Sequence, residues 1–291
     1  MAIVNAKEML LEATAGKYAV GAFNVSNLIQ LEAVVAAAIN KRAPVIIQTS
    51  VSPSRFLNPR VIGAIYRTIA ADAPIPICLH LDHSDEVAYC KTCADAGYTN
   101  IMIDASRHDF EENIRQTREV VEYCRGLGGI SVEGELGTVS GTEDQVKVSE
   151  DEAQLCDPSQ AVDFVQRTGI DLLAPAIGTA HGVYKTKNPK LDFDRLQAIA
   201  EMLNGNGPKT PIVIHGGSGL ADDLVKKLVS LGGAKFNVST DLKHRIIDTT
   251  YDYIRAHKGE YNTGKIDKAV NKAVMDRIYY YIDLLGCAGK A

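Results

Sequence analysis

The 291-residue sequence holds no apolar run approaching ~18 residues, so no membrane-spanning helix is expected. Its opening, Met-Ala-Ile-Val-Asn-Ala-Lys-Glu8, lacks the apolar centre of a secretory signal, which predicts a cytoplasmic protein. Basic residues form no stripe and the formal net charge is −5, which argues against nucleic acid as the main partner. Cysteine is too sparse for a disulfide scaffold: six residues stand in a chain long enough to fold without cross-links, and reduced thiols are expected. Cys90 and Cys93 form a Cys-x-x-Cys with no second pair to complete a metal site, so they read as an i, i+3 pair on a helix. Tryptophan is absent, which by itself excludes nothing.

What is present is ordinary in bulk and regular in order. Hydrophobic residues make up 46% and charged residues 23%, enough for one large core. Eight short β-prone segments recur: Tyr18–Val25, Pro44–Ser50, Pro76–His83, Asn100–Ser106, Ile130–Gly137, Asp171–Gly178, Pro211–Gly217 and Ala234–Ser239. Amphipathic stretches lie between them, at Asn27–Arg42, Asp85–Ala96, Phe110–Leu127, Ser159–Arg167, Asp192–Leu203, Asp222–Ser230 and Asp241–His257. This alternation predicts an α/β protein, a (β/α)8 TIM barrel over residues 1–291 as one domain. A doubly wound open sheet is the competing fold, but the first strand ends in Asn-Val-Ser rather than a glycine-rich turn. Acidic groups at Ser84-Asp85-Glu86 and Ala221-Asp222-Asp223 read as helix starts. Two segments exceed a barrel's needs. Thr138–Asp157 is a long polar loop and is expected to be functional. Gly264–Leu285 is an extra C-terminal helix, expected on the barrel exterior or in a subunit contact.

Barrels of this kind place chemistry at the C-terminal ends of their strands. Those ends carry Asn24, Ser50, Asp82, His83, Asp104, Ser106, Glu133, Glu135, His181, His215, Asn237, Ser239 and Thr240, whereas the strand interiors are mostly aliphatic. His83, His181 and His215 follow three different strands and could meet around one Zn²⁺, leaving a coordination position open. His80 shares a strand face with Asp82 and is expected to orient it. His181 leads into Gly182, and His215 into Gly216-Gly217-Ser218-Gly219; Asn237-Val-Ser239-Thr240 precedes the next helix. Glycines there let N–H groups approach an anion, so phosphate is expected after the last strands.

Taken together, these pieces resemble the class II, metal-dependent fructose-bisphosphate and tagatose-bisphosphate aldolases. The matching segments are Tyr-Ala-Val-Gly-Ala-Phe-Asn24, His80-Leu-Asp-His83, Met102-Ile-Asp-Ala-Ser106, Val132-Glu-Gly-Glu-Leu-Gly137, Gly178-Thr-Ala-His-Gly182, His215-Gly-Gly-Ser218, Asn237-Val-Ser-Thr240 and Gly286-Cys-Ala-Gly-Lys290. The resemblance implies reversible cleavage of a ketose 1,6-bisphosphate to dihydroxyacetone phosphate and glyceraldehyde 3-phosphate. It implies Zn²⁺ on His83, His181 and His215, with Asp104 and Glu135 at an alternative metal location. Asp82 would exchange a proton with the C4 hydroxyl, and Glu143 on the long loop would shuttle the proton at C3. Gly182, Lys185, Gly216, Gly217, Ser218, Asn237, Ser239 and Thr240 would hold the triose phosphate, with a Na⁺ or K⁺ ion in attendance, and Asn24 and Ser50 would line the sugar. A homodimer or homotetramer is implied as well. A class I aldolase would need a Schiff-base lysine, and no strand end carries one. Ser239 and Tyr251 depart from the fructose-bisphosphate pattern, so a ketose 1-phosphate with a different C6 end is an alternative substrate. A barrel metallohydrolase and a non-catalytic aldolase-fold subunit are the competing functions; the first lacks a His-x-His on strand one.

Overall fold

The computed structural model describes residues 2–143, 146–149, 153–184, 186, 189–205 and 207–291, apart from the side chains of residues 143, 146 and 147. A short helix, α1 (Ala6–Gly16), precedes the first strand; Asn5 caps it by accepting the Lys7 N–H, and the Ala6 N–H donates to Ser131 Oγ at 3.0 Å. Then follow β1 (Val20–Asn24), α2 (Leu28–Lys41), β2 (Val45–Ser50), α3 (Val51–Leu57), α4 (Pro59–Ala70), β3 (Ile77–Ser84), α5 (Val87–Asp95), β4 (Asn100–Ile103), α6 (Phe110–Leu127) and β5 (Ser131–Leu136). A small excursion holds β6 (Ser140–Glu143) and β7 (Val146–Val148). The chain continues through α7 (Pro158–Thr168), β8 (Leu172–Pro175), β9 (Ala180–His181), α8 (Phe193–Asn204), β10 (Ile212–Ile214), α9 (Asp222–Ser230), β11 (Gly233–Val238), α10 (Thr240–Ala256) and α11 (Thr263–Leu284).

Eight strands close on themselves in the order β1-β11-β10-β8-β5-β4-β3-β2, all parallel. Closure leaves no sheet edge, and both faces of each strand are covered, which is why segments such as Val45-Ile-Ile are apolar throughout. The helices carry the complementary pattern. In α6, Ile114, Thr117, Val121 and Cys124 form one buried stripe; Asp109 caps the start by accepting the Glu112 N–H at 2.9 Å, and Gly128, at φ 74°, ends it. The C-terminal helix α11 packs outside the barrel against α2 and α10, tied to α2 by the Lys41–Asp283 ion pair. Among the described residues no helix is long and apolar enough to cross a membrane.

Several expected elements stop early. β4, β8 and β10 end at Ile103, Pro175 and Ile214, so Asp104 and His215 stand just beyond the ladder, while His181 lies on the separate short strand β9. The loop Thr138–Asp157 is partly sheet: β6 pairs antiparallel with β7 and parallel with β9. The helical stretch expected after β2 is split into two helices, α3 and α4. The acidic helix starts do not cap through side chains, because Glu86 and Ala221 occupy the N-cap positions without such a bond. Asp85 and Glu86 instead pair with Arg107 and Arg55. Asp222 and Asp223 lie in the first turn of α9, where their charge complements the positive end of the helix dipole.

The lumen is unusual for a barrel of this class. Bonds cross it between non-adjacent strands, from Lys235 on β11 to Glu133 on β5, and from Asn237 on β11 to Asp82 on β3. Period-two alternation then stacks two polar layers: His80, Glu133 and Lys235 below, Asp82, Glu135 and Asn237 above. All six are buried.

Candidate active site

Asp82 and His83 are sequence neighbours, and in a regular strand they would face opposite sides of the sheet. Both nevertheless reach the same cavity. The β3–β4 register shifts between Leu81 and Ser84, and His83 adopts φ 49°, a left-handed conformation rare for a residue with a side chain. The bulge re-aims the His83 imidazole into the lumen while Asp82 keeps its inward direction.

Three imidazoles converge there. His83, His181 and His215 each offer a ring nitrogen, and these atoms lie within 4.8 Å of one another. His83 Nε2 faces His215 Nδ1 at 2.6 Å. Their outer nitrogens are held by carboxylates: His83 Nδ1 by Asp104 at 2.8 Å and His215 Nε2 by Glu133 at 2.9 Å. A carboxylate behind each ring fixes its orientation and leaves the inner nitrogen free to ligate, the arrangement expected of metal-binding histidines. His83, Asp104 and Glu135 form a second group of similar compactness. Burial lowers the affinity of His181 and His215 for protons, and the charge of His83 lowers it further. For His83 burial acts the same way but is overcome by Asp104 and Asp82, which raise its pKa. Burial and the Asp104 charge raise the Glu135 carboxyl well above the usual range.

Asp82 is surrounded by amides. Its Oδ2 accepts from Asn24 Nδ2 at 3.0 Å and Gln48 Nε2 at 3.3 Å, and its Oδ1 from Asn237 Nδ2 at 3.1 Å. Burial alone would raise its pKa, but the cations His83 and Lys235 outweigh that and hold it below the ordinary carboxylate range. His80 does not orient it, contrary to expectation: the nearest approach is 3.8 Å, and His80 instead meets Lys235 and Asn100. Among the described residues, four buried side-chain atoms around this rim accept or donate no hydrogen bond: Gln48 Oε1, Glu135 Oε2, Asn237 Oδ1 and Ser239 Oγ. Unmet hydrogen-bonding capacity gathered in one place is what a polar ligand satisfies.

On one side of the imidazoles lies a narrow hollow lined by Asn24, Gly182, Gly216, Gly217, Asn237 and Thr240. Gly216 has φ 66°, and a Cβ there would stand 2.4 Å from the Ala180 carbonyl oxygen. Tyr184 Oη staples the same turns, donating to the Gly216 carbonyl at 2.7 Å and accepting the Ala180 N–H. Ser218 is not idle: its Oγ accepts the Ser239 N–H at 3.2 Å and joins the hollow to the start of α10. On the other side opens a cavity of about 370 Å³, reaching from His83, Asp104 and Glu135 out to Arg55 and Arg107. Strand β6 clamps its wall, with Gly141 opposite His181 in register; a Cβ on Gly141 would stand 2.2 Å from the His181 oxygen.

Ser50 is buried at the end of β2, in register with Asp82. Glu143 belongs to β6, but its side chain lies outside the described residues, and so does Lys185. Tyr251 is exposed on α10. Cys90 and Cys93 are buried on α5. The sequence reading missed Gln48, Glu133 as a partner of His215, Tyr184, and above all Lys235. A buried strand lysine does exist, in mid-strand rather than at an end, with its ammonium engaged by Glu133 and His80. It has no exposed surface and its ammonium is ion-paired with Glu133, so it is not placed to attack a carbonyl.

The chain is thus a closed (β/α)8 barrel with three imidazoles that could hold a metal and a glycine-lined hollow at one rim. The family model described as fructose-bisphosphate aldolase class-II matches residues 4–290. The chain is 38% identical over 294 residues to fructose-bisphosphate aldolase of Geobacillus stearothermophilus, covering 100% of this chain and 99% of that one. It is 36% identical over 296 residues to fructose-bisphosphate aldolase of Staphylococcus aureus, covering 100% of both. Among solved structures, the YdjI aldolase of Escherichia coli K12 superposes with a TM-score of 0.86 at 32% identity, over 99% of each chain. The chain belongs to the class II fructose-bisphosphate aldolase family.

Proposed function

We propose that this chain is a zinc-dependent aldolase, one catalytic domain from end to end, that cleaves fructose- or tagatose-1,6-bisphosphate into dihydroxyacetone phosphate and glyceraldehyde 3-phosphate. The observation that carries this reading is the convergence of His83, His181 and His215 beside the buried carboxylate Asp82. Three nitrogen donors with one open side suit Zn²⁺ better than the hard, oxygen-seeking cations. A divalent ion held there supplies Lewis acidity that draws negative charge from the substrate carbonyl.

The protein's own groups do the rest. The C1 phosphate sits in the hollow of Gly182, Gly216 and Gly217, with Asn237, Ser239 and Thr240 above the N-terminus of α10. Asp82, held ionised by its amide ring and nearby cations, takes the proton of the C4 hydroxyl. The C3–C4 bond then breaks, C4 leaves as the aldehyde carbon, and its bonding pair stays with the triose phosphate at C3. Glu143 on the β6 strand returns a proton to C3. Asn24 and Ser50 flank the sugar, and Asp104 and Glu135 offer a second seat for the metal. The aldehyde half points into the 370 Å³ cavity, toward Arg55 and Arg107. Both guanidiniums are already paired, with Glu86 and Asp85, so a C6 phosphate would have to draw them from these carboxylates.

A second copy of the chain belongs to this reading. Ile247, Tyr251 and Ile254 are exposed at i, i+4 and i+7 on α10, an apolar stripe suited to a subunit contact. Six buried free thiols suit the cytoplasm. The direct test compares steady-state cleavage of the two bisphosphates with that of fructose 1-phosphate by zinc-loaded protein. Release of triose phosphate from the bisphosphates supports the reading; release only from monophosphorylated ketoses moves the substrate assignment to another C6 end.

A further inference from the structure

We propose that Lys235 is a positioning residue for the metal centre: through Glu133 it sets the ring of His215. The inference rests on the reading that His83, His181 and His215 hold a metal.

Lys235, Glu133 and His80 come from three different strands, and each has 0% of its surface exposed. The Lys235 ammonium has three hydrogens to place. It meets Glu133 Oε2 at 2.9 Å and Glu133 Oε1 at 3.2 Å, with His80 Nε2 also 3.2 Å away, so Glu133 is its charged partner. Glu133 Oε1 also takes the Nε2–H of His215 at 2.9 Å. That places the proton of His215 on Nε2 and turns the Nδ1 lone pair toward His83 and the open centre. The sequence of contacts runs Lys235, Glu133, His215, metal seat. The same strand works one layer up, where Asn237, two residues on, donates to Asp82.

A buried ion pair is a poor source of stability, since apolar residues of like volume usually serve as well. A buried carboxylate left without its cation is a different matter. It draws water or turns away, and His215 then loses the acceptor that fixes its tautomer. The pair therefore does for His215 what a hydrophobic plug cannot.

The test uses full-length protein, zinc-loaded and zinc-free. Lys235→Met keeps most of the volume and removes the charge. Zinc affinity is read by chelator competition, and the seat's geometry by the visible spectrum of the Co²⁺-substituted protein. The expected result is a loss of affinity of about 10–100-fold, a changed cobalt spectrum, and a lower kcat with KM unchanged at saturating zinc. The double variant Lys235→Met with Glu133→Gln removes both charges yet leaves a carbonyl for His215 Nε2–H. It is expected to recover most of the lost affinity, and to fold even where the single variant does not. Wild-type affinity and spectrum in Lys235→Met, or purely additive losses in the double variant, overturn the proposal alone. Wild-type protein that binds no zinc overturns it together with the reading on which it rests.

Discussion

His83 Nε2 and His215 Nδ1 face each other across 2.6 Å, each ring backed by its own carboxylate. Two nitrogen lone pairs do not sit at that separation unaided; a proton or a cation must lie between or beside them. Replacing His83, His181 or His215 with Ala should therefore cut zinc affinity by more than the roughly 10–100-fold typical of losing an outer partner. Isothermal titration of metal-free protein checks this. Unchanged affinity in any one variant removes that residue from the seat.

Asp82→Ala should separate chemistry from metal binding. Asp82 accepts from three amides and does not belong to the imidazole cluster. The expected outcome is a fall in kcat of at least ~10²-fold, the usual contribution of a positioned proton acceptor, with zinc content retained. Loss of zinc in this variant contradicts the role given to Asp82.

His80 makes a prediction about pH. Burial and the neighbouring Lys235 ammonium lower its pKa from 6.5 to about 3. The unfolded chain binds a proton here below about pH 6.5, whereas the folded chain resists it until about pH 3. The penalty is absent above pH 6.5 and grows as pH falls through that window, so His80 contributes to acid sensitivity. In His80→Gln the thermal midpoint should fall less between pH 7 and pH 4 than in the wild type. Parallel pH profiles for the two proteins would show that His80 titrates normally in the fold.

Gly216→Ala tests the phosphate hollow. The added methyl would meet the Ala180 carbonyl oxygen at 2.4 Å, on a backbone with φ 66°. The left-handed backbone alone should cost about 1–2 kcal/mol, the clash adds to it, and KM for the bisphosphate should rise. Denaturant melts and steady-state kinetics measure the two effects; a wild-type KM would move the phosphate elsewhere.

The sequence showed the rim better than the layer beneath it. Polar residues ending an apolar strand are conspicuous, so Asp82, His83 and His215 could be picked out one at a time. Glu133 was read with the strand ends but not as the partner of His215, and Lys235 sits in mid-strand, where the pattern says core and only its sharing of a face with Asn237 hinted at its direction. The Leu81–Ser84 bulge was invisible, because a register shift depends on the neighbouring strand rather than on local residues. The β6–β7 hairpin was read as loop, since Gly-Thr-Glu carries little strand signal without its partner β9.

The most direct measurement is triose phosphate release from fructose- and tagatose-1,6-bisphosphate by zinc-loaded, chelator-stripped and zinc-restored protein. Release should be present, abolished and regained in that order, for at least one of the two sugars. Full activity in the stripped protein would contradict zinc dependence, and no triose phosphate from either sugar when zinc is bound would contradict a bisphosphate aldolase.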